Sequence, residues 1–221
     1  MLQVTKSDED FAYGFANGVS LSFNGLSYEI QDKILSFEED NNLFDTTLGI
    51  AFGKTFDKLP EDSQDKLLSF GSKNFGFANF FNANVGNVFD KLPGATQDKI
   101  LLFALYNTAG KMSPPGKRRE IIASAFFLGN SVGGVFHHLT SGTQDKLLSH
   151  VGKDKDFDTG LGSGIGGIFD MLPDDIQDKI LLLAKENREF ADSFNKSIKA
   201  SFTFYKLPKE KQKKVSSALG R

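Results

Sequence analysis

The chain contains no cysteine and no tryptophan. The missing thiols exclude disulfides, thiolate metal sites and a cysteine nucleophile. They fit a reducing interior, so a cytoplasmic location is expected. No apolar stretch approaches the roughly 20 residues that a membrane helix needs, and no membrane partner is expected. The first ten residues are polar and acidic, without the basic start and apolar run of a signal peptide. A charge excess of one sign is also missing. The 26 Lys and Arg nearly balance 28 Asp and Glu, for a net charge of −2, which argues against a duplex nucleic-acid binder. Neither H-E-x-x-H nor G-x-S-x-G occurs. No cluster of acid, base and nucleophile stands out, so neither an enzyme nor a cofactor is expected.

What is present is a repeat. The string Gln-Asp-Lys-Ile/Leu-Leu begins at Gln31, Gln64, Gln97, Gln144 and Gln177, and a degenerate copy, Gln212-Lys213-Lys214-Val215, follows. The steps between copies are 33, 33, 47, 33 and 35 residues. Phe-x-x-Leu precedes each copy, as Phe23/Leu26, Phe56/Leu59, Phe89/Leu92, Phe136/Leu139, Phe169/Leu172 and Phe204/Leu207. Pro60, Pro93, Pro173 and Pro208 follow four of the leucines, and Ser27 and Thr140 follow the other two. All three residue types suit a helix start, Pro at the first helical position and Ser or Thr as a cap.

Upstream of each Phe-x-x-Leu the apolar residues keep helical spacing. Phe44, Leu48, Phe52, Phe56 and Leu59 form one face, and Phe157, Leu161, Ile165, Phe169 and Leu172 repeat it. Each unit therefore predicts a first helix, a tight turn and a second helix that offers residues such as Leu67, Leu68 and Phe70. One such hairpin cannot bury its apolar stripe alone, whereas stacking on neighbours buries it. The expected fold is all-α, an α-solenoid of about six helical hairpins forming a single domain. Its units span about 11–43, 44–76, 77–109, 124–156, 157–189 and 190–221, with an insertion at about 110–123. The chain carries 22 Gly, and each Gly inside a helix costs roughly 1 kcal/mol against Ala. Gly49/Gly53, Gly129/Gly133 and Gly162/Gly166 are spaced by four, so each pair shares a helix face and is expected to admit a neighbouring helix closely. The 23 Phe are expected to fill the space between units.

Two nucleotide-like patterns fail on context. Gly162-Ser163-Gly164-Ile165-Gly166-Gly167 matches G-x-G-x-x-G, but a helix and a charged turn precede it where the fingerprint needs a strand. Gly49 to Thr55 has three residues between its glycines where a P-loop has four. Adjacent Asp and Lys in each Gln-Asp-Lys string point to different sides, and are expected to pair with neighbouring units or solvent. His137 and His138 are expected on different faces of a helix, and His150 in the column of Phe37, Phe70 and Phe103, all three in structural or solvent-facing roles.

In length and layout the unit resembles those of α-solenoids such as tetratricopeptide proteins, although the tetratricopeptide pattern of Trp, Gly, Tyr and Pro positions is absent. Leu139-Thr140 with Gln144 resembles the Leu-Thr-Pro-x-Gln opening of TAL-effector-like DNA-binding repeats, with the Gln one residue late. The paired glycines of those repeats do not recur in the turn. What the solenoid resemblance implies is an elongated binding surface.

Charge is polarised along the chain. Residues 1–60 hold four Lys against ten acids, and residues 190–221 hold eight Lys and Arg against two acids. Such ends serve either as polar caps or as contacts between molecules. The insertion carries Lys111, Lys117, Arg118 and Arg119, which form a solvated bulge or a contact for something acidic. Together with Lys209, Lys211, Lys213 and Lys214 these are the candidate partner-binding residues. The expected function is a non-catalytic scaffold for a protein partner. The alternatives are a nucleic-acid-binding solenoid using the basic C-terminal end and the 111–119 loop, and a structural subunit that assembles head to tail. A scaffold should expose apolar residues that the repeat does not need, a nucleic-acid binder a continuous basic stripe, and a self-assembling subunit a mass that rises with concentration and falls with salt.

Overall fold

A computed structural model describes residues 9–36, 42–107 and 123–220, and among them every regular element is helical. The helices are α1 (Glu9–Ser22), α2 (Tyr28–Leu35), α3 (Asn42–Thr55), α4 (Glu61–Gly71), α5 (Phe75–Val85), α6 (Gly94–Asn107), α7 (Ala123–Gly134), α8 (Ser141–Leu148), α9 (Lys155–Ile168), α10 (Asp174–Glu186), α11 (Arg188–Ala200), α12 (Thr203–Lys206) and α13 (Lys209–Ala218). The chain divides into two compact units, Met1–Ser124 and Ala125–Arg221. Within the first unit α1 packs on α3 and α3 on α5. Within the second, α9 packs on α11 and α10 on α13. No described helix is long and apolar enough to cross a membrane.

Each Phe-x-x-Leu forms a turn of 3₁₀ type or a short helix in which the Leu N–H donates to the Phe carbonyl, at 3.1 Å for Leu26 and Phe23 and 3.3 Å for Leu172 and Phe169. The Leu then takes an extended ψ near 145° and the chain reverses into the second helix. Pro60, Pro173 and Pro208 stand one place earlier than the sequence suggested, at the N-cap. The ring fixes φ near −65°, the cap needs an extended ψ, and the Pro carbonyl still accepts the first helical bond, as from Gln64 N–H to Pro60. Ser27 and Thr140 cap by hydroxyl, accepting from the N–H of Ile30 and Thr143. The longer step before the sixth copy falls at this turn. There Phe202 takes a left-handed φ of 60° and exposes its ring.

The glutamine of each string closes the turn. Gln31, Gln64, Gln97, Gln144 and Gln177 are buried, and each Nε2 donates to the carbonyl of the Phe eight residues earlier, at 2.8, 2.9, 3.1, 2.8 and 3.0 Å. The Leu carbonyl takes a second bond in several copies, from Gln97, Gln177 and Gln212 at 3.1, 2.8 and 2.8 Å. Carbonyls left over at the break between two helices are thereby satisfied without water.

The apolar columns are buried as their spacing implies. Phe44, Leu48, Phe52, Phe56 and Leu59 are all in the core, as are Phe157, Leu161, Ile165, Phe169 and Leu172. Phe11 and Phe15, in the same columns of α1, are half-buried. The turn Phe of one hairpin meets a Phe of the next edge-on, Phe23 against Phe52 at 4.9 Å, Phe56 against Phe81 at 4.9 Å and Phe169 against Phe194 at 5.0 Å.

The paired glycines are contact points. A Cβ on Gly49 would lie 2.5 Å from the Phe77 carbonyl oxygen, and one on Gly162 would lie 2.5 Å from that of Phe190. In α9 the glycines alternate, Gly160 and Gly164 against α7 and Gly162 and Gly166 against α11. The G-x-G-x-x-G match is therefore a helix with a close neighbour on either side. The Gly49 to Thr55 segment lies in α3, with its glycines against α5.

Two substitutions separate these causes. Gly49→Ala should lower the unfolding free energy by about 1–3 kcal/mol through overpacking. Gly14→Ala, where nothing lies within 4 Å of the added methyl, should raise it by about 0.5–1 kcal/mol. Gln177→Met should cost about 1–3 kcal/mol by removing two buried hydrogen bonds and leaving the Leu172 carbonyl unpaired. Urea denaturation of the three variants beside the parent checks each sign.

Candidate functional site

Within each unit the charged half of the strings joins successive hairpins. The Lys of one copy pairs with the Asp of the copy before it, Lys66 with Asp32 at 2.7 Å, Lys99 with Asp65 at 2.7 Å, Lys179 with Asp145 at 2.9 Å and Lys214 with Asp178 at 3.3 Å. Glu61 also reaches Lys99, at 3.1 Å, and the hydrogen bonds from Asp65 first and Glu61 second raise the Lys99 pKa. A second row joins the turns, Lys91 with Asp57 at 4.0 Å and Lys206 with Asp170 at 3.7 Å. Pairs this exposed contribute little each. Their consequence is that the recurring lysines already face carboxylates.

The candidate lysines divide accordingly. Lys211 is held by the Asp174 carboxylate and by the Gln177 Oε1 at 3.0 Å. Lys214 belongs to the Asp178 pair. Lys209 reaches the Gln212 Oε1 at 3.5 Å. Lys213 is exposed and makes no ion pair among the described residues, because it stands where the other strings have Asp. Lys111, Lys117, Arg118 and Arg119, with most of the proposed insertion, lie outside the described residues.

Lys213 borders an open groove of about 640 Å³ between α10 and α13. From α10 come Asp178, Leu181, Leu182 and Lys185, spaced as one helix face, and from α13 come Glu210, Lys213, Lys214, Ser217 and Ala218, also one face. Leu181 and Ala218 are buried and make an apolar floor, whereas Leu182 is 58% exposed. The helices run in the same direction, since Asp174 and Asp178 pair in order with Lys211 and Lys214. Asp178, Glu210, Lys213 and Lys214 thus stand toward one end of the groove and Lys185 at the other. Sequence reading passed over Leu182 and Lys185. The signal was there in the position five after each Gln, which reads Ser36, Ser69, Leu102, Ser149, Leu182 and Ser217.

The histidine pair departs from its expectation. The His137 and His138 rings lie against each other with centroids 3.7 Å apart. They occupy the turn Phe136–His138. They fill the columns that hold Asp57 and Lys91 in the pairs above. His137 Nδ1 is buried and has no hydrogen-bond partner among the described residues. Burial, and then the charge of His138, lower the His137 pKa. His150 Nδ1 lies 2.9 Å from the Lys146 carbonyl, to which its Nδ1–H tautomer donates. Among the described residues no group of three or more His, Asp or Glu is placed to hold a metal ion.

Asp158 is the buried carboxylate of the second unit. It accepts from the Gly152 N–H at 3.0 Å and the Asn187 Nδ2 at 2.8 Å, and those bonds moderate a pKa that burial raises. Its partners all belong to the turns beside α9, which makes it a clasp rather than a reactive group.

Compared with known proteins, the chain matches no family model, no curated protein sequence and no solved structure.

The lowered His137 pKa fixes a sign. The unfolded chain takes up a proton near the ordinary His value of about 6.5, whereas folded His137 does so only at lower pH, so stability is lost as pH falls through that window. The denaturation midpoint should therefore drop on acidification below about 6.5, and His137→Asn should flatten that part of the profile.

Proposed function

We propose that the chain is a non-catalytic α-solenoid scaffold whose helical hairpins stack in sequence and hold a protein partner on the surface of their second helices, in the cytoplasm. The observation that carries this reading is Leu182, 58% exposed over an apolar floor at a position where four other hairpins have Ser. Packing does not require a leucine there, and an exposed apolar side chain in a groove is what partner proteins bury. The rest of the recurring chemistry supports the same reading, because Gln, Asp and Lys are engaged in closing turns and joining hairpins.

Neither alternative draws comparable support. A nucleic-acid binder needs a stripe of available cations, and the recurring lysines are matched by Asp. Head-to-tail assembly through the same pairing would set Lys33 of one copy against Lys213 of the next, like against like.

The test is affinity capture from the native cell with the full chain as bait, with and without nuclease, followed by sedimentation of bait and purified prey. A nuclease-resistant complex of fixed stoichiometry is expected. Retention that nuclease abolishes, or bait whose own mass climbs without limit as concentration rises, overturns the reading.

A further inference from the structure

The groove between α10 and α13 departs from the common residue of the repeat at three positions. Leu182 stands where four copies have Ser and one has Leu102, Lys213 replaces Asp, and Lys185 stands eight after its Gln, where the other copies have Glu39, Ser72, Leu105, Gly152 and Gly220. Lys185 and Lys213 are exposed and make no ion pair among the described residues. Lys213 cannot continue the Lys-to-Asp pairing, and Leu182 is not needed for packing. These departures converge on one concavity with an apolar floor.

We propose that this groove docks an amphipathic helix of a protein partner, with a leucine-like side chain seated on Leu181, Leu182 and Ala218 and carboxylates facing Lys185 and Lys213. The inference rests on the scaffold reading and names the chemistry of the partner. Complementarity of charge and shape selects the occupant. From Asp178 to Lys185 the wall runs about 10 Å at 1.5 Å per residue, which accommodates two turns of a docked helix. The two walls present i, i+3, i+4, i+7 faces, the geometry of helix-in-groove recognition. Lys213, beside the Lys214 that pairs with Asp178, and Lys185, about 10 Å further along α10, set two cationic points for the carboxylates of the guest. A nucleic acid would use the lysines but leave the exposed leucine without a role.

The test uses the full chain and a fluorescein-labelled helix-forming peptide of about 14 residues, with Leu at i, i+3 and i+7 and Glu on the flanks. A copy with Lys for Glu, and unlabelled polyuridylate as competitor, complete the set. Leu182→Ser and Lys213→Asp each install the residue that other hairpins carry in the same column, so both variants should fold, and circular dichroism and the urea midpoint verify it. Fluorescence anisotropy should show saturable binding of the acidic peptide, weakened by salt, and none of the basic one. Leu182→Ser should weaken binding about tenfold. Lys213→Asp should weaken it by about the same factor and reduce its salt dependence. Absence of saturable binding, equal binding by both variants and parent, or displacement by polyuridylate with loss only in Lys213→Asp overturns the proposal. If a purified partner binds parent and both variants alike, the groove assignment fails while the scaffold reading stands. If no protein partner binds the parent, both fail.

Discussion

The buried amide of one glutamine in each of five hairpins is the constraint on which the rest of this structure depends. A chain that turns sharply between two packed helices leaves carbonyl groups with no helical partner, and burying them unpaired costs about 1–3 kcal/mol each. The Gln Nε2 reaches the Phe carbonyl eight residues back, and that carbonyl also accepts the Leu N–H. The separation of eight is therefore a length set by hydrogen-bond reach across the turn. It ties the Phe-x-x-Leu and Gln-Asp-Lys strings together, and through the Phe ring it ties the turn to the aromatic contacts with the next hairpin.

Once that turn is set, the remaining requirements are about approach and sign. First helices come close enough that a methyl group would collide with a neighbouring carbonyl, so glycine stands at Gly49, Gly129 and Gly162 despite its cost in a helix. Second helices are joined by Lys of one copy to Asp of the copy before. That pairing is weak link by link, but it has polarity, and Lys213 in the Asp column stops it. Positions released from both duties are free to carry other chemistry, and three that depart from the common residue, Leu182, Lys185 and Lys213, line the α10–α13 groove.

The periodicity of Phe44 to Leu59 and of Phe157 to Leu172 marked the core face because burial in a helix obeys a 3.6-residue period. The four-residue spacing of the glycines identified close helix contacts for the same reason. The histidines, expected on different faces, bring their rings together at the turn, a contact made by the side chains and not readable from spacing along the chain. Among the basic residues, Lys211 and Lys214 looked available in sequence, yet their carboxylate partners lie 37 and 36 residues away. Leu182 was legible only as a departure from Ser in one column, and its exposure could not be read from that column alone.

Sequence by itself determined the helical unit, its turn, its glycine contacts and the number of its copies, because all four depend on spacings along the chain. Tertiary structure alone decided which lysines are neutralised, which leucine stays in solvent and where the groove runs. Those outcomes depend on side chains from different hairpins meeting in space, and the distance between such side chains is set by packing rather than by separation along the sequence.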